Sequence, residues 1–461
     1  MSKTMAQRMA MARRTIWWCA LLLCTTVGAS LEGLRERAEE LQPWLVVTRR
    51  DLHAHPELGF ALPRTTRVVA DALRGMGVES MRFVARNGGV VAEVGRGKPT
   101  VVLRADMDAL PLQESADNPV KSTVDGRMHA CGHDAHTTML LGAVRLLQER
   151  YNASNHAAQG AAEEEELCPI DPEGSHCGSK MKWPGGTVRF VFQPAEEGGG
   201  GAKAAIEDGV MDGAGGTYAI HVWPWLRSGA MATRSGPIMA GAAFFEISVV
   251  GRGGHAAAPH ATIDPVPAAA AIISSIQTVI AREVNAQKAA IISVTRMETP
   301  GNAAVNAVPD KVLLQGTMRT LDVQLFQDLR VRLEQLVRNQ ATVFGCTAEV
   351  GWMEGRSEPA PPTINDGEAQ MTAVRGASKL LGVENVEEAE ISMASEDFSL
   401  FLQKAPGSML FLGIRNETVG STRDLHNPGF IMDESVLPIG AALHAGVALQ
   451  WLEEHQSMSE L

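Results

Sequence analysis

The 461-residue sequence has no cluster of basic residues. Lys and Arg number 41 against 53 Asp and Glu, for a formal net charge of −12 at pH 7. Nucleic-acid binding needs a concentrated basic face, and a diffuse acidic surface argues against it. Apolar runs of membrane-spanning length are also missing. "IWWCALLL", from Ile16 to Leu23, is too short for a comfortable transmembrane helix. It follows Arg13 and Arg14 and precedes "CTTVGAS", where Val27 and Ala29 occupy the −3 and −1 positions of a cut after Ala29. That is the layout of a secretory signal peptide. Residues 1–29 are therefore expected to be a signal, which would deliver the chain to the ER lumen or the exterior, with an organelle as the alternative. No other stretch looks membrane-spanning, and no stable membrane insertion is expected. The final "SMSEL" is not a retention tetrapeptide of the Lys-Asp-Glu-Leu kind.

Cysteine is scarce. Of six, Cys19 and Cys24 fall within the signal, leaving Cys131, Cys168, Cys177 and Cys346. In an oxidising compartment Cys168 and Cys177 could close a small disulfide loop; otherwise they are free thiols in an insert. Asn152-Ala-Ser and Asn416-Glu-Thr are glycosylation acceptors only if the chain enters the ER.

What is present is an ordinary globular composition, 45% hydrophobic and 20% charged, in a chain too long for one core. The apolar runs at 100–106, 187–193, 217–223 and 408–414 read as buried strands. Between them, 135–148, 369–381 and 439–452 carry apolar residues at helical spacing. Strand–helix alternation implies an α/β layer with a mixed, largely parallel sheet. The middle differs. "FFEISVVG", a helix from Pro265 to about Glu283, "AAIISVTRM", "KVLLQGTMRT", a helix over Leu325–Val343 and "CTAEVGW" give a β-α-β-β-α-β order. That order predicts a ferredoxin-like antiparallel sheet with two helices on one face. A second, α+β domain at 236–352 is thus expected to be inserted into a first domain formed by 31–235 and 353–461. The stretch 151–186, with its acidic run Glu163–Glu166, reads as a long surface loop, and His156 and His176 within it as solvated.

Chemistry concentrates in four places. "MHACGHDAH" (128–136) puts Cys131 and His133 two apart, just before a helix, where thiolate and imidazole can face one ion. No resolving cysteine lies nearby, which favours metal over redox chemistry. "FQPAEEGGGGA" (192–202) follows a strand, at the carboxyl end where open α/β sheets place their sites. Its adjacent Glu196 and Glu197 repel each other unless cations compensate; one can ligate while its neighbour remains a base. "AIHVWP" places His221 on an apolar strand end, and "DLHNPGF" places His426 in a loop. Each is unremarkable alone: a solvated Glu pair, a core histidine, a loop histidine. Together they supply a metal-binding set at strand and loop ends.

With "LHAHPELGF" (52–60), "RADMDALPL" (104–112), "GRGGHAAAPH" (251–260), "NAVPD" (306–310) and "SEDFS" (395–399), the sequence resembles the M20 metallopeptidase/amidohydrolase family. The likeness runs over about 31–455 and is to the branch of plant auxin–amino acid conjugate hydrolases and bacterial hippurate or N-acyl-amino-acid hydrolases. The resemblance implies a zinc-peptidase-like catalytic domain with an inserted dimerisation domain, and a homodimer. It implies two divalent metal ions, Mn²⁺ or Zn²⁺, on Cys131, His133, Glu197, His221 and His426, with Glu196 as general base. Asp108 would orient a ligand from behind. His255 would polarise the scissile carbonyl across the dimer, and Asn306 and Arg319 would contact the substrate. The implied reaction is cleavage of the amide bond of an N-acyl amino acid, with indole-3-acetyl conjugates among the candidates. A dipeptidase or carboxypeptidase and a silent metal-binding scaffold are the alternatives. His53, His55, His129, His136 and His260 are expected to be structural. Two features depart from the family pattern: the length of 151–186, and "MAGAAFFEI", which lacks the polar residue usual at the entry to the second domain.

Overall fold

The computed structural model describes residues 31, 33–160, 182–301, 304–353 and 358–456. The expected signal, Cys168, Cys177, His176 and most of the 151–186 stretch lie outside the described residues; the part that is described at its start, 151–160, is not loop but the end of a helix that begins at His133, with His156 exposed on it.

The chain opens with helices α1 (Leu34–Glu40), α2 (Gln42–Ala54) and α3 (Pro63–Gly75). Then come β1 (Ser80–Val84), β2 (Gly89–Arg96), β3 (Thr100–Asp106), the long α4 (His133–Gly160), β4 (Gly186–Gln193), α5 (Gly201–Glu207), β5 (Gly216–Arg227), β6 (Met231–Thr233) and β7 (Gly236–Met239). The middle holds β8 (Gly241–Val250), β9 (Gly254–His255), α6 (Pro265–Arg282), β10 (Ala290–Glu298), β11 (Ala307–Val308), β12 (Lys311–Thr320), α7 (Val323–Val343) and β13 (Thr347–Gly351). The return carries β14 (Thr363–Asn365), α8 (Gly367–Leu381), β15 (Val386–Glu388), α9 (Ser399–Leu402), β16 (Gly407–Arg415) and α10 (Leu437–Gln456).

The large sheet has the order β1-β2-β4-β3-β5-β16-β6-β15. Its centre is parallel, β4 to β3 to β5 to β16, and antiparallel pairs β1–β2 and β2–β4 flank it. Every residue of β3, "TVVLRAD", is buried. A strand covered on both faces reads as a continuous apolar run, which is why this one was legible. Alternate side chains serve two cores: Val101 and Leu103 pack with Leu140, Val144 and Leu443 on one face, while Val102 packs with Ala202, Ala205 and Met409 on the other. By length and hydropathy alone, Pro265–Arg282 and Glu434–Gln456 could each cross a membrane, which the sequence reading did not single out. The second contains α10, and 89% of its apolar window is buried inside the fold, as a core helix requires.

The middle segment forms a four-stranded antiparallel sheet, β10-β12-β8-β13, in the expected β-α-β-β-α-β order. β12 alternates strictly between buried and half-buried residues. Its inner face, with Phe245 and Ile247, packs on Ile272 of α6 and Leu333 of α7 as a separate core. Entry and exit lie side by side. Ala242 and Ala360 exchange backbone hydrogen bonds of 2.8 and 3.0 Å, and a Cβ added to Gly241 would sit 2.7 Å from Pro362. That close approach admits only glycine at the entry.

Candidate metal centre

Strands β3, β4 and β5 run parallel and in register, with Asp106 opposite Gln193. Their carboxyl ends therefore deliver their following residues to one place, the usual site position in an open α/β sheet. Asp108 follows β3. Its carboxylate accepts the backbone N–H of Glu196 at 2.9 Å and of Glu197 at 3.3 Å, and its carbonyl accepts His133 Nδ1–H at 2.8 Å. One aspartate thus holds both glutamates and a histidine in place. Ala195, just before the pair, is left-handed at φ 56°.

The Cys131-Gly132-His133 turn depends on its glycine. Gly132 has φ 86°, and a Cβ there would lie 2.5 Å from Val222 Cγ2. The turn brings Cys131 Sγ to 3.4 Å from His221 Nε2. His221 donates Nδ1–H to the Val222 carbonyl at 2.7 Å, which leaves its Nε2 lone pair free, and burial holds its ring neutral. His133 Nε2 is buried without a hydrogen-bond partner among the described residues. It faces carboxylate oxygens of Asp106 at 3.8 Å and of Glu196 and Glu197 at 3.9 Å each. Glu197 Oε1 lies 3.2 Å from His426 Nε2, out of alignment for a hydrogen bond. His426 is itself left-handed, at φ 58°, and its N–H is held by the Ala130 carbonyl at 2.9 Å.

Buried polar groups normally find partners. Here donor atoms of Cys131, His133 and His221 converge within 4.8 Å, as do those of Cys131, Glu197 and His426, and His133 Nε2 and Glu197 Oε1 are left without a hydrogen-bond partner among the described residues. A mixed thiolate, imidazole and carboxylate set of this kind suits a borderline divalent cation. The charge agrees. Burial pulls the His133 pKa down, yet Asp106, Asp108 and Glu197 together raise it to about 10. The pocket attracts positive charge, and a metal supplies it in place of a proton. Burial, with Glu396 and Glu197 beside it, pushes Glu196 well above the usual carboxylate range; burial, then Glu197 and Glu196, push the Cys131 thiol up.

His136 lies among these residues but cannot ligate. Its Nδ1–H is taken by Asp106 at 2.6 Å and its Nε2 by the Val222 N–H at 2.9 Å. The sequence reading passed over Arg104. It is fully buried, donating to Asp106 at 2.6 Å, Asp397 at 2.7 Å and Gln193 at 2.9 Å, and pairing with Glu396 at 2.9 Å. The signal was an arginine inside an apolar strand, and the "SEDFS" stretch that meets it.

A cavity of about 500 Å³ opens above the cluster, walled by Trp223, Trp225, Met239, Phe244 and Leu400. Arg319, from β12, reaches it with its guanidinium 5.1 Å from the Phe244 ring centre. So the structure gathers Cys131, His133, Glu196, Glu197, His221 and His426, with Asp108 behind them and Arg319 in the wall. His255 and Asn306 lie elsewhere. They are exposed neighbours on the short β9–β11 ribbon, where Ala256 N–H donates to the Asn306 carbonyl at 2.9 Å, and neither is among the residues lining the cavity.

The family described as "Peptidase family M20/M25/M40" matches residues 102–168 and 176–450. The chain is 39% identical over 444 residues to IAA-amino acid hydrolase ILR1-like 4 of Arabidopsis thaliana, covering 94% of this chain and 93% of that one. It is 38% identical to thermostable carboxypeptidase 1 of Saccharolobus solfataricus, covering 91% and 98%. In structure it resembles a dinuclear metal binding peptidase from the M20 family of Bacillus subtilis, with TM-score 0.70 and 32% identity over 90% of this chain and 99% of that one. Identity at this level along nearly the whole chain makes the protein a member of peptidase family M20/M25/M40 and a hydrolase of amide bonds.

Proposed function

We propose that the protein cleaves the amide bond of N-acyl amino acids, with Glu196 as general base beside two divalent cations, Mn²⁺ or Zn²⁺, held by Cys131, His133, Glu197, His221 and His426. The observation that carries this is a raised, buried Glu196 next to unsatisfied metal donors on the floor of an apolar cavity with one arginine in its wall. Bound cations of this class act as Lewis acids and lower the pKa of water toward neutrality. Glu196, fixed through its own N–H by Asp108, takes a proton from the attacking water and returns it to the leaving amine. Its raised proton affinity suits both steps. Arg319 offers a planar fork to the amino acid's carboxylate.

Trp223 stacks on Phe411 with centroids 3.9 Å apart and planes at 4°, and Trp225 packs against it at 4.7 Å. This wall supports a flat, apolar acyl group, such as the indole-3-acetyl group in the plant relative's name. The exposed ribbon bearing His255 and Asn306 fits a role toward a second copy's cavity in a homodimer, where His255 would donate to the developing oxyanion. A carboxypeptidase reading shares the arginine, so substrates separate the two. Steady-state rates with Mn²⁺ or Zn²⁺ on indole-acetyl-alanine, hippurate, N-acetyl-methionine and a dipeptide are the test. Preference for an acyl amino acid supports the proposal; preference for the dipeptide overturns it in favour of peptidase action.

A further inference from the structure

Among the histidines expected to be structural, His53 is placed unlike the others. It is 1% exposed, on α2. Its Nδ1 lies 2.8 Å from Asp134 Oδ2 and its Nε2 lies 3.0 Å from Glu114 Oε1. A carboxylate oxygen thus stands at each ring nitrogen, and Arg49 Nη2 stands 3.1 Å from the same Nδ1. Burial and Arg49 oppose the charge, but Asp134 and Glu114 outweigh them and raise the pKa.

The two carboxylates belong to segments that carry the metal donors. Asp134 directly follows His133 in the first turn of α4. Glu114 lies in the segment that begins with Asp108 and ends at Cys131. Glu114 also accepts from Asn118 Nδ2 at 2.8 Å and from the Ser122 N–H at 2.6 Å. Asn118 Nδ2 in turn reaches the Phe430 carbonyl at 3.2 Å, and the Ser115 N–H reaches the Pro428 carbonyl at 2.9 Å. Those two carbonyls lie in the turn that bears His426. One buried ring thus joins three chain segments that meet nowhere in sequence.

We infer that His53 is a positioning residue: it ties α4, the 107–130 segment and the 426–430 turn together and so holds Cys131, His133 and His426 in metal-binding register. This rests on the metal reading above. The test is Zn²⁺ affinity, by competition with a chromophoric chelator, for wild type, His53→Gln and Leu45→Ala. Leu45 is a fully buried residue of the same helix and part of the main apolar core, so its loss loosens packing. His53→Gln is expected to weaken Zn²⁺ by about 10- to 100-fold, the range for residues behind a ligand. Leu45→Ala is expected to lower the thermal midpoint of the metal-free protein and leave Zn²⁺ affinity unchanged. Wild-type affinity in His53→Gln overturns the inference, as does equal weakening in both variants. If His53→Gln fails to fold, Glu114→Gln, which breaks the far half of the bridge, takes its place under the same criterion. A wild type that binds no Zn²⁺ overturns the metal reading itself, and this inference with it.

Discussion

The Cys131 thiol lies 3.4 Å from Nε2 of His221, ninety positions further along the chain. Burial keeps the imidazole neutral and the thiol protonated, so without a metal the S–H donates to the free Nε2 lone pair. A shared cation would replace that proton, taking the lone pair of one and the thiolate of the other. Cys131→Ser should therefore weaken metal binding by more than the ~10- to 100-fold typical of losing a residue behind a ligand, with turnover falling in step. Metal content after dialysis against a weak chelator, read beside the rate, checks this. Full metal content in the variant would remove Cys131 from the ligand set.

Glu196→Gln separates binding from chemistry. The amide keeps the shape and the backbone N–H that Asp108 holds, and it removes the proton acceptor. Metal content should be unchanged while kcat falls by roughly 10²- to 10⁴-fold. Retained turnover would show that another group takes the proton.

Arg104 touches Asp106, Glu396 and Asp397, and all four side chains are buried. Burial and Glu396 already push Asp397 up to about 8 in spite of the arginine. Arg104→Met leaves three carboxylates without their partner, a change that costs roughly 3–5 kcal/mol for a buried pair. Urea unfolding should show the loss at neutral pH, with a smaller loss as pH falls and the carboxylates become neutral.

Burial holds His129 and His444 each at about 3, against an ordinary value near 6.5. The sign follows from proton counting. Between those two values the unfolded chain binds a proton at each ring and the folded chain does not, so stability rises with pH across the window and is lost as pH falls through it. Each group contributes a slope of about 1.4 kcal/mol per pH unit at most. His444→Leu should flatten the acid limb of a stability-versus-pH curve by one such increment. An unchanged slope would mean that His444 is already protonated in the fold.

Trp225 lines the cavity yet is 53% exposed. An indole that much in water is available to stack on a substrate. Trp225→Ala should lower kcat/KM for an aromatic acyl amino acid by roughly 2- to 10-fold, the worth of one aromatic pair. It should leave the N-acetyl substrate little changed. Equal losses on both would place Trp225 outside the acyl wall.

Residue order alone carried the candidate metal donors, because each sat at a strand or loop end in a short local pattern: Cys131 and His133 two apart, Glu196 and Glu197 adjacent after an apolar strand. It also carried the layered α/β class, since a fully buried strand such as β3 is a continuous apolar run, and the antiparallel insert, since β12 alternates along its length. Periodicity is a local quantity, so whatever depends on pairing across the chain was decided only by the fold. Arg104 reads as a stray charge until Asp397, 293 positions away, closes on it. His136 is expected to be structural, but only the fold shows its partners, Asp106 and the Val222 N–H, at its two nitrogens. His53 is one more structural histidine until Asp134 and Glu114, both distant in sequence, close on its two nitrogens. Arg319 and His255 belong to the same insert but to different sheets, Arg319 to β12 of the four-stranded sheet and His255 to the two-stranded β9–β11 ribbon, so one reaches the cavity and the other stands exposed.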